Sequence, residues 1–185
     1  IGLLILIGLA PIFSAEYSRR TDSLLLSSKY GKSNLIYAKI KSGLLFALIA
    51  WATITVLNIV LIMTLYGVTG WEAHWQNWVI DWAPFAWNQG QVTLVALLTS
   101  LLGAVFLALT IMLISAFAKS QYASLIFGAV LLYFPILDFA FANYSIFNTL
   151  YYFLPTKMLI GISQWQSFNL VFLFRTAIPI QYLAL

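Results

Sequence analysis

The sequence predicts an all-α, polytopic membrane protein, and three observations carry that prediction. Hydrophobic residues make up 63% of the 185 positions and charged residues only 8%, where a soluble domain carries about 25% charged. Several apolar runs exceed twenty residues without the period-two alternation of a transmembrane barrel, so they read as helices. The charge is also gathered: six of the nine Lys and Arg residues lie between Glu16 and Lys41. In so apolar a chain, a net charge of +4 is read as a cytoplasmic membrane face and not as a footprint for nucleic acid.

Taken in order, residues 1–13 are apolar but short of the ~20 needed to cross a bilayer, and read as the end of a helix with Pro11 near its exit. With no basic flank and no small-residue cleavage site, this run is not read as a signal peptide. Both chain ends fall inside apolar runs, so the sequence is expected to be a piece of a longer protein, truncated at both ends. The charged loop 14–41 follows, then an uncharged span over 42–66 that is roughly 38 Å long as a helix. That helix is expected to start early, near Ser33 as its N-cap, so that Lys39 and Lys41 project to the interface and snorkel.

Residues 67–91 hold five of the seven Trp residues and no Lys or Arg. A second span, 92–117, is followed by a short turn at 118–120 and a third span, 121–142, broken near Pro135. Residues 143–176 are mixed and irregular, and a last helix is expected to begin at 177–185. With 14–41 inside, the inside loops carry seven Lys and Arg residues and the outside loops two, which sets the orientation.

Trp71, Trp75, Trp78 and Trp82 would fall within about 60° of one another on a helix. They are read as one stripe of an amphipathic segment on the outer face, ended by Pro84; an interfacial aromatic belt accounts for the same residues. Asn58 lies deep in its span and is expected to face another helix. Ser100, Ala104 and Ala108 form a small-residue row that permits close helix packing. Asp138, just beyond Pro135, is an intramembrane acid unless it reaches outer water, and so a candidate for polar contact.

Catalytic chemistry is not expected. One histidine, His74, cannot build a zinc site, there is no cysteine, and no GxxxxGK[ST] loop is present to cradle phosphates. Five carboxylates are scattered over separate segments, which argues against an acid/base pair. No enzyme active site, metal or cofactor is therefore assigned to this chain.

The order Glu16, Thr21, Leu24, Leu25, Leu26, Ser27, Ser28, Gly31, Lys32 and Lys39 resembles the first cytoplasmic loop of type-2 ABC exporter permeases. In that family a membrane helix ends near a Glu, a Gly-Thr and a Leu-Leu pair follow, and a Lys opens the next long helix. Arg20 stands here where Gly is usual, Lys29 where Pro is usual, and Lys32 where Arg is common. The succession of spans also resembles helices two to six of such a permease, and the segment Leu154–Met158 fits the same pattern.

The resemblance implies a transmembrane domain in which Glu16, Thr21, Leu24, Leu25, Leu26 and Lys32 belong to a coupling helix docked on an ATPase. It further implies a separate ATP-binding cassette ATPase subunit that carries ATP and Mg, and a second permease subunit, identical or related. The setting would be a bacterial cell membrane, with residues 14–41 cytoplasmic. A positive-inside anchor alone would account for the Lys and Arg residues, but not for Glu16 or the leucine triplet. Two other readings are a non-transporting membrane immunity or sensor subunit and an ion-coupled secondary transporter. The second would want charged residues inside its spans, and only Asp138 comes close.

Overall fold

The computed structural model describes residues 1–19, 21, 34–74, 87–137, 154–160, 170–173 and 176–179. Among these the chain is mainly helical, with turns between helices and one short hairpin. The helices are α1 (Gly2–Leu9), α2 (Pro11–Ser18), α3 (Asn34–Tyr66), α4 (Gln89–Phe117), α5 (Gln121–Tyr133) and α6 (Pro155–Ile160). A 3-10 turn, Phe134–Leu137, extends α5. The strands β1 (Leu170–Leu173) and β2 (Thr176–Pro179) follow. Contacts divide the chain into two units, Ile1–Thr55 with Ala104–Leu137, and Val56–Gly103 with Asp138–Leu185, each described on its own.

Two helices, α3 with 33 residues and α4 with 29, are long and apolar enough to cross a membrane. At ~1.5 Å per residue both exceed the ~30 Å hydrocarbon core of a bilayer. The early start expected for α3 holds: Asn34 through Lys41 are helical, and Ser33 itself lies outside the described residues. The helix ends at Gly67, which adopts φ +84° and donates its N–H to the Met63 carbonyl, a left-handed C-terminal cap open to glycine.

Helix α4 starts at Gln89, three residues before the expected position. Asn88 is its N-cap, with Gln91 Oε1 accepting from the Asn88 N–H at 3.1 Å, the return half of a capping box. The next two amides are satisfied from the preceding segment: Gln89 N–H donates to the Ala73 carbonyl at 2.9 Å and Gly90 N–H to the Trp71 carbonyl at 3.1 Å. The tight turn at 118–120 is present, and Ser120 caps α5 by accepting from the Ala123 N–H at 3.2 Å. The α-helical part of the third span closes at Tyr133, where Pro135 lies within the 3-10 turn.

The chain end departs from expectation. A helix was expected from residue 177; instead Thr176–Pro179 pairs antiparallel with Leu170–Leu173, with Leu170 opposite Pro179 and Leu173 opposite Thr176. The physical reason is composition. Val171, Phe172, Thr176 and Ile178 are branched or aromatic residues that favour strands, and Pro179 falls at the end of the ladder, where proline is tolerated.

The first unit is assembled at small residues. The residues that α3 buries are Gly43, Ala47 and Ala50, one face at three- and four-residue spacing. Helix α5 buries Ser124, Gly128 and Leu132. Helix α4 offers Ala104, Leu107, Ala108, Ile111, Met112 and Ser115, all buried. A methyl group on Gly43 would meet Met112 Sδ, Ile12 and Leu9, and one on Gly128 would meet Leu6. Such seams let helix backbones approach closely where lipid removes the usual hydrophobic drive between helices. The expected row therefore holds at Ala104 and Ala108, with Ser100 half-buried.

In the second unit, α6 lies against α4 at Gly103. A Cβ there would stand 2.8 Å from the Leu159 nitrogen and 2.9 Å from the Met158 carbonyl carbon.

Candidate functional site

The first unit's described residues bring chemistry together around α2, the short helix leading into the charged loop. The ladder of α1 stops at Pro11, which has no N–H, and the Ser14 N–H that would reach the Ala10 carbonyl goes to Ser115 Oγ instead, so that carbonyl needs other partners. Those partners are serines. The Ala10 carbonyl accepts from Ser115 Oγ at 2.6 Å, from Ser14 Oγ at 2.8 Å and from Ser124 Oγ at 2.8 Å. Ser115 Oγ in turn accepts from the amides of Phe13 and Ser14, both at 3.1 Å. All three serines are fully buried, and they come from α2, α4 and α5. One hydroxyl can donate once and accept twice, so Ser115 is fully used.

The other end of α2 is held by a cation. Lys39, in the second turn of α3, places Nζ 2.5 Å from Glu16 Oε1 and donates to the Ile12 carbonyl at 2.8 Å. The same ammonium stands 4.9 Å from the centroid of the Phe13 ring. The side chains of Lys39 and Glu16 are 16% and 26% exposed, so the pair is partly screened from water. This corrects the expectation that Lys39 snorkels. A carboxylate, a carbonyl and a ring lie within its reach and replace the interfacial water it would otherwise seek. Lys41 is exposed. Thr21 closes the turn after α2 by donating its amide to the Glu16 carbonyl at 3.1 Å and its hydroxyl to the same oxygen at 3.4 Å.

Lys39→Met is expected to destabilise the first unit by about 1–2 kcal/mol, since a charge-assisted hydrogen bond and a partly buried pair are lost together. Glu16→Gln should cost less, because Lys39 keeps the Ile12 carbonyl and the Phe13 ring. Unfolding of the two variants and of the double variant, completed as a cycle, measures the coupling.

Of the residues expected in a coupling helix, Glu16 and Thr21 are thus brought together by α2 and its exit turn. Leu24, Leu25, Leu26 and Lys32 lie outside the described residues, as do Trp75, Trp78, Trp82 and Asp138. Trp71 is not on a helix: with Glu72 it forms a turn after Gly70, whose φ is +103°, and His74 bridges to Asn88. The stripe therefore cannot begin at Trp71, because the Trp71 and Ala73 carbonyls are engaged in capping α4. Asn58 is exposed on α3 in the single chain.

Sequence reasoning passed over Ser14, Ser115, Ser124 and Phe13. A signal for the serines existed: single hydroxyl residues in otherwise apolar helices, one of them three positions after a proline.

Taken together, fold and site define a helical protein with two helices able to cross a membrane by length and composition. No known protein family, curated protein or solved structure matches the chain.

Proposed function

We propose that this chain is the membrane-spanning permease subunit of an ATP-driven ABC transporter, working as an exporter. Its residues 14–41 face the cytoplasm of a bacterial cell and meet a separate ATP-binding cassette ATPase. Two apolar helices of crossing length support the membrane setting. The gathered Lys and Arg residues support the orientation.

The observation that carries the reading is the frame around the charged loop. Lys39 ties the head of α3 to Glu16 on α2, so the described residues before and after Leu24, Leu25 and Leu26 in the sequence are bound to each other. A surface pushed by an ATPase needs such a frame to pass displacement into a long helix. ATP and Mg belong to the ATPase, and a second permease subunit completes the path.

The test begins with co-expression of the chain, in its native length, with any Walker-type ATPase that a neighbouring gene encodes. Joint purification and stimulated ATP hydrolysis are expected. Changing both Leu24 and Leu25 to Asp should lower stimulation at least tenfold while the chain still inserts in membranes. Insertion with neither co-purification nor stimulation would overturn the proposal in favour of a non-transporting subunit. Cargo movement driven by an ion gradient without ATP would overturn it in favour of a secondary transporter.

A further inference from the structure

We propose that the Ala10–Pro11 junction is a hinge on which α2 pivots as a lever, with Ser115 as its bearing and Ser124 as its catch. The Ala10 carbonyl has two lone pairs and receives three hydroxyls, so one donor is in surplus. The surplus identifies what can let go. Ser115 cannot, because its Oγ also accepts the Phe13 and Ser14 amides, which would be left buried and unpaired. Ser14 sits on the lever itself and moves with it. Ser124 Oγ, from α5, makes one bond, to Ala10, and its loss leaves the carbonyl saturated by the other two.

The junction is also the point at which the helix ladder is interrupted, since Pro11 supplies no amide. Eight residues farther along, at about 12 Å, the lever ends in the turn closed by Thr21. Between hinge and tip, Lys39 holds Ile12 and Glu16 to α3. A force on the charged loop therefore has two exits, along α3 through Lys39 and into the hydroxyl cluster through α2. The hinge depends on the proposed function only for what supplies that force.

The chain contains no cysteine, so spin labels can be placed on single introduced cysteines without background. Tyr17→Cys on α2 and Tyr122→Cys on α5, the helix that bears Ser124, are exposed sites within the first unit. Distances between the two labels would be measured in the full chain in vesicles of phosphatidylethanolamine and phosphatidylglycerol, with no ATPase present. Two distance populations are expected. Ser124→Ala should change their ratio at least threefold, Ser124→Thr should restore it, and Pro11→Ala, which returns the missing amide, should leave a single population.

One population in the parent chain, unaltered in Ser124→Ala, would overturn the hinge. So would a broadening in Ser124→Ala matched by a label pair at Lys41→Cys and Leu45→Cys within α3, which would mark general loosening. If Ser124→Ala does not fold, the Ser124→Thr and Pro11→Ala distances decide alone. Because no ATPase enters the measurement, a failure here is distinct from failure of the coupling test.

Discussion

Ser115→Ala is expected to destabilise the first unit by about 2–4 kcal/mol, the largest effect of any single hydroxyl among the described residues. The loss is not that of one bond. Ser115 Oγ is the acceptor for the Phe13 and Ser14 amides and a donor to the Ala10 carbonyl. Alanine leaves the carbonyl with two other donors, so the acceptor side is nearly neutral. The two amides are stranded in an apolar interior, and an unsatisfied buried amide costs about 1–3 kcal/mol. Ser124→Ala, which strands nothing, should cost about 1 kcal/mol or less. Denaturant or thermal unfolding in detergent, followed by helical circular dichroism, separates the two. Equal losses for Ser115→Ala and Ser124→Ala would show that the stranded amides are not the source of the effect.

The second large effect is expected at Gly103. On propensity alone, alanine in the middle of α4 would stabilise the helix by roughly 1 kcal/mol. Here its methyl group would lie 2.8 Å from Leu159 N and 2.9 Å from the Met158 carbonyl carbon. These are backbone atoms of α6 and cannot swing aside as a side-chain tip can, so the short helix must retreat. Overpacking of this kind costs about 1–3 kcal/mol and exceeds the propensity gain. Gly103→Leu should displace α6 altogether and expose Met158, which is 8% exposed in the native chain. Gly90→Ala is the control on the same helix: its nearest neighbours would be Trp71 atoms at 3.6 and 3.7 Å, ordinary contact, so no loss is expected. Oxidation of Met158 by dilute peroxide, read by mass spectrometry, should accelerate at least fivefold in Gly103→Leu and remain at the native rate in Gly90→Ala.

The long helices were legible because their signal is cumulative. The runs 42–66 and 92–117 need no knowledge of partners, and the structure only lengthens them, to Asn34 and to Gln89, where the Asn88 cap decides the start. Glu16 and Lys39 were legible as charges at the two ends of a loop, but their pairing was not, because sequence does not say that α2 and α3 bring them within 2.5 Å. The serine cluster was illegible for a related reason. Ser115 lies about a hundred residues from the amides it accepts, and single serines in apolar helices more often bond back to their own helix, as Thr99 and Thr110 do here.

Two misjudgements came from local pattern winning over tertiary partnership. Trp71 fits a helical stripe by spacing, yet its carbonyl is claimed by Gly90. Residues from 177 continue an apolar run, yet Thr176–Pro179 finds a complementary strand immediately upstream.

The bonds that cap α4 have a consequence for how this protein can vary. Because Ala73, Trp71 and His74 are joined to Gln89, Gly90 and Asn88, the start of α4 is held by a stem closed on the turn that follows α3. Closing that stem is nearly indifferent to the length it encloses, since halving or doubling it changes the closure term by only about 0.6 kcal/mol. A change in chain length between His74 and Trp87 is therefore expected to leave the start of α4 in place.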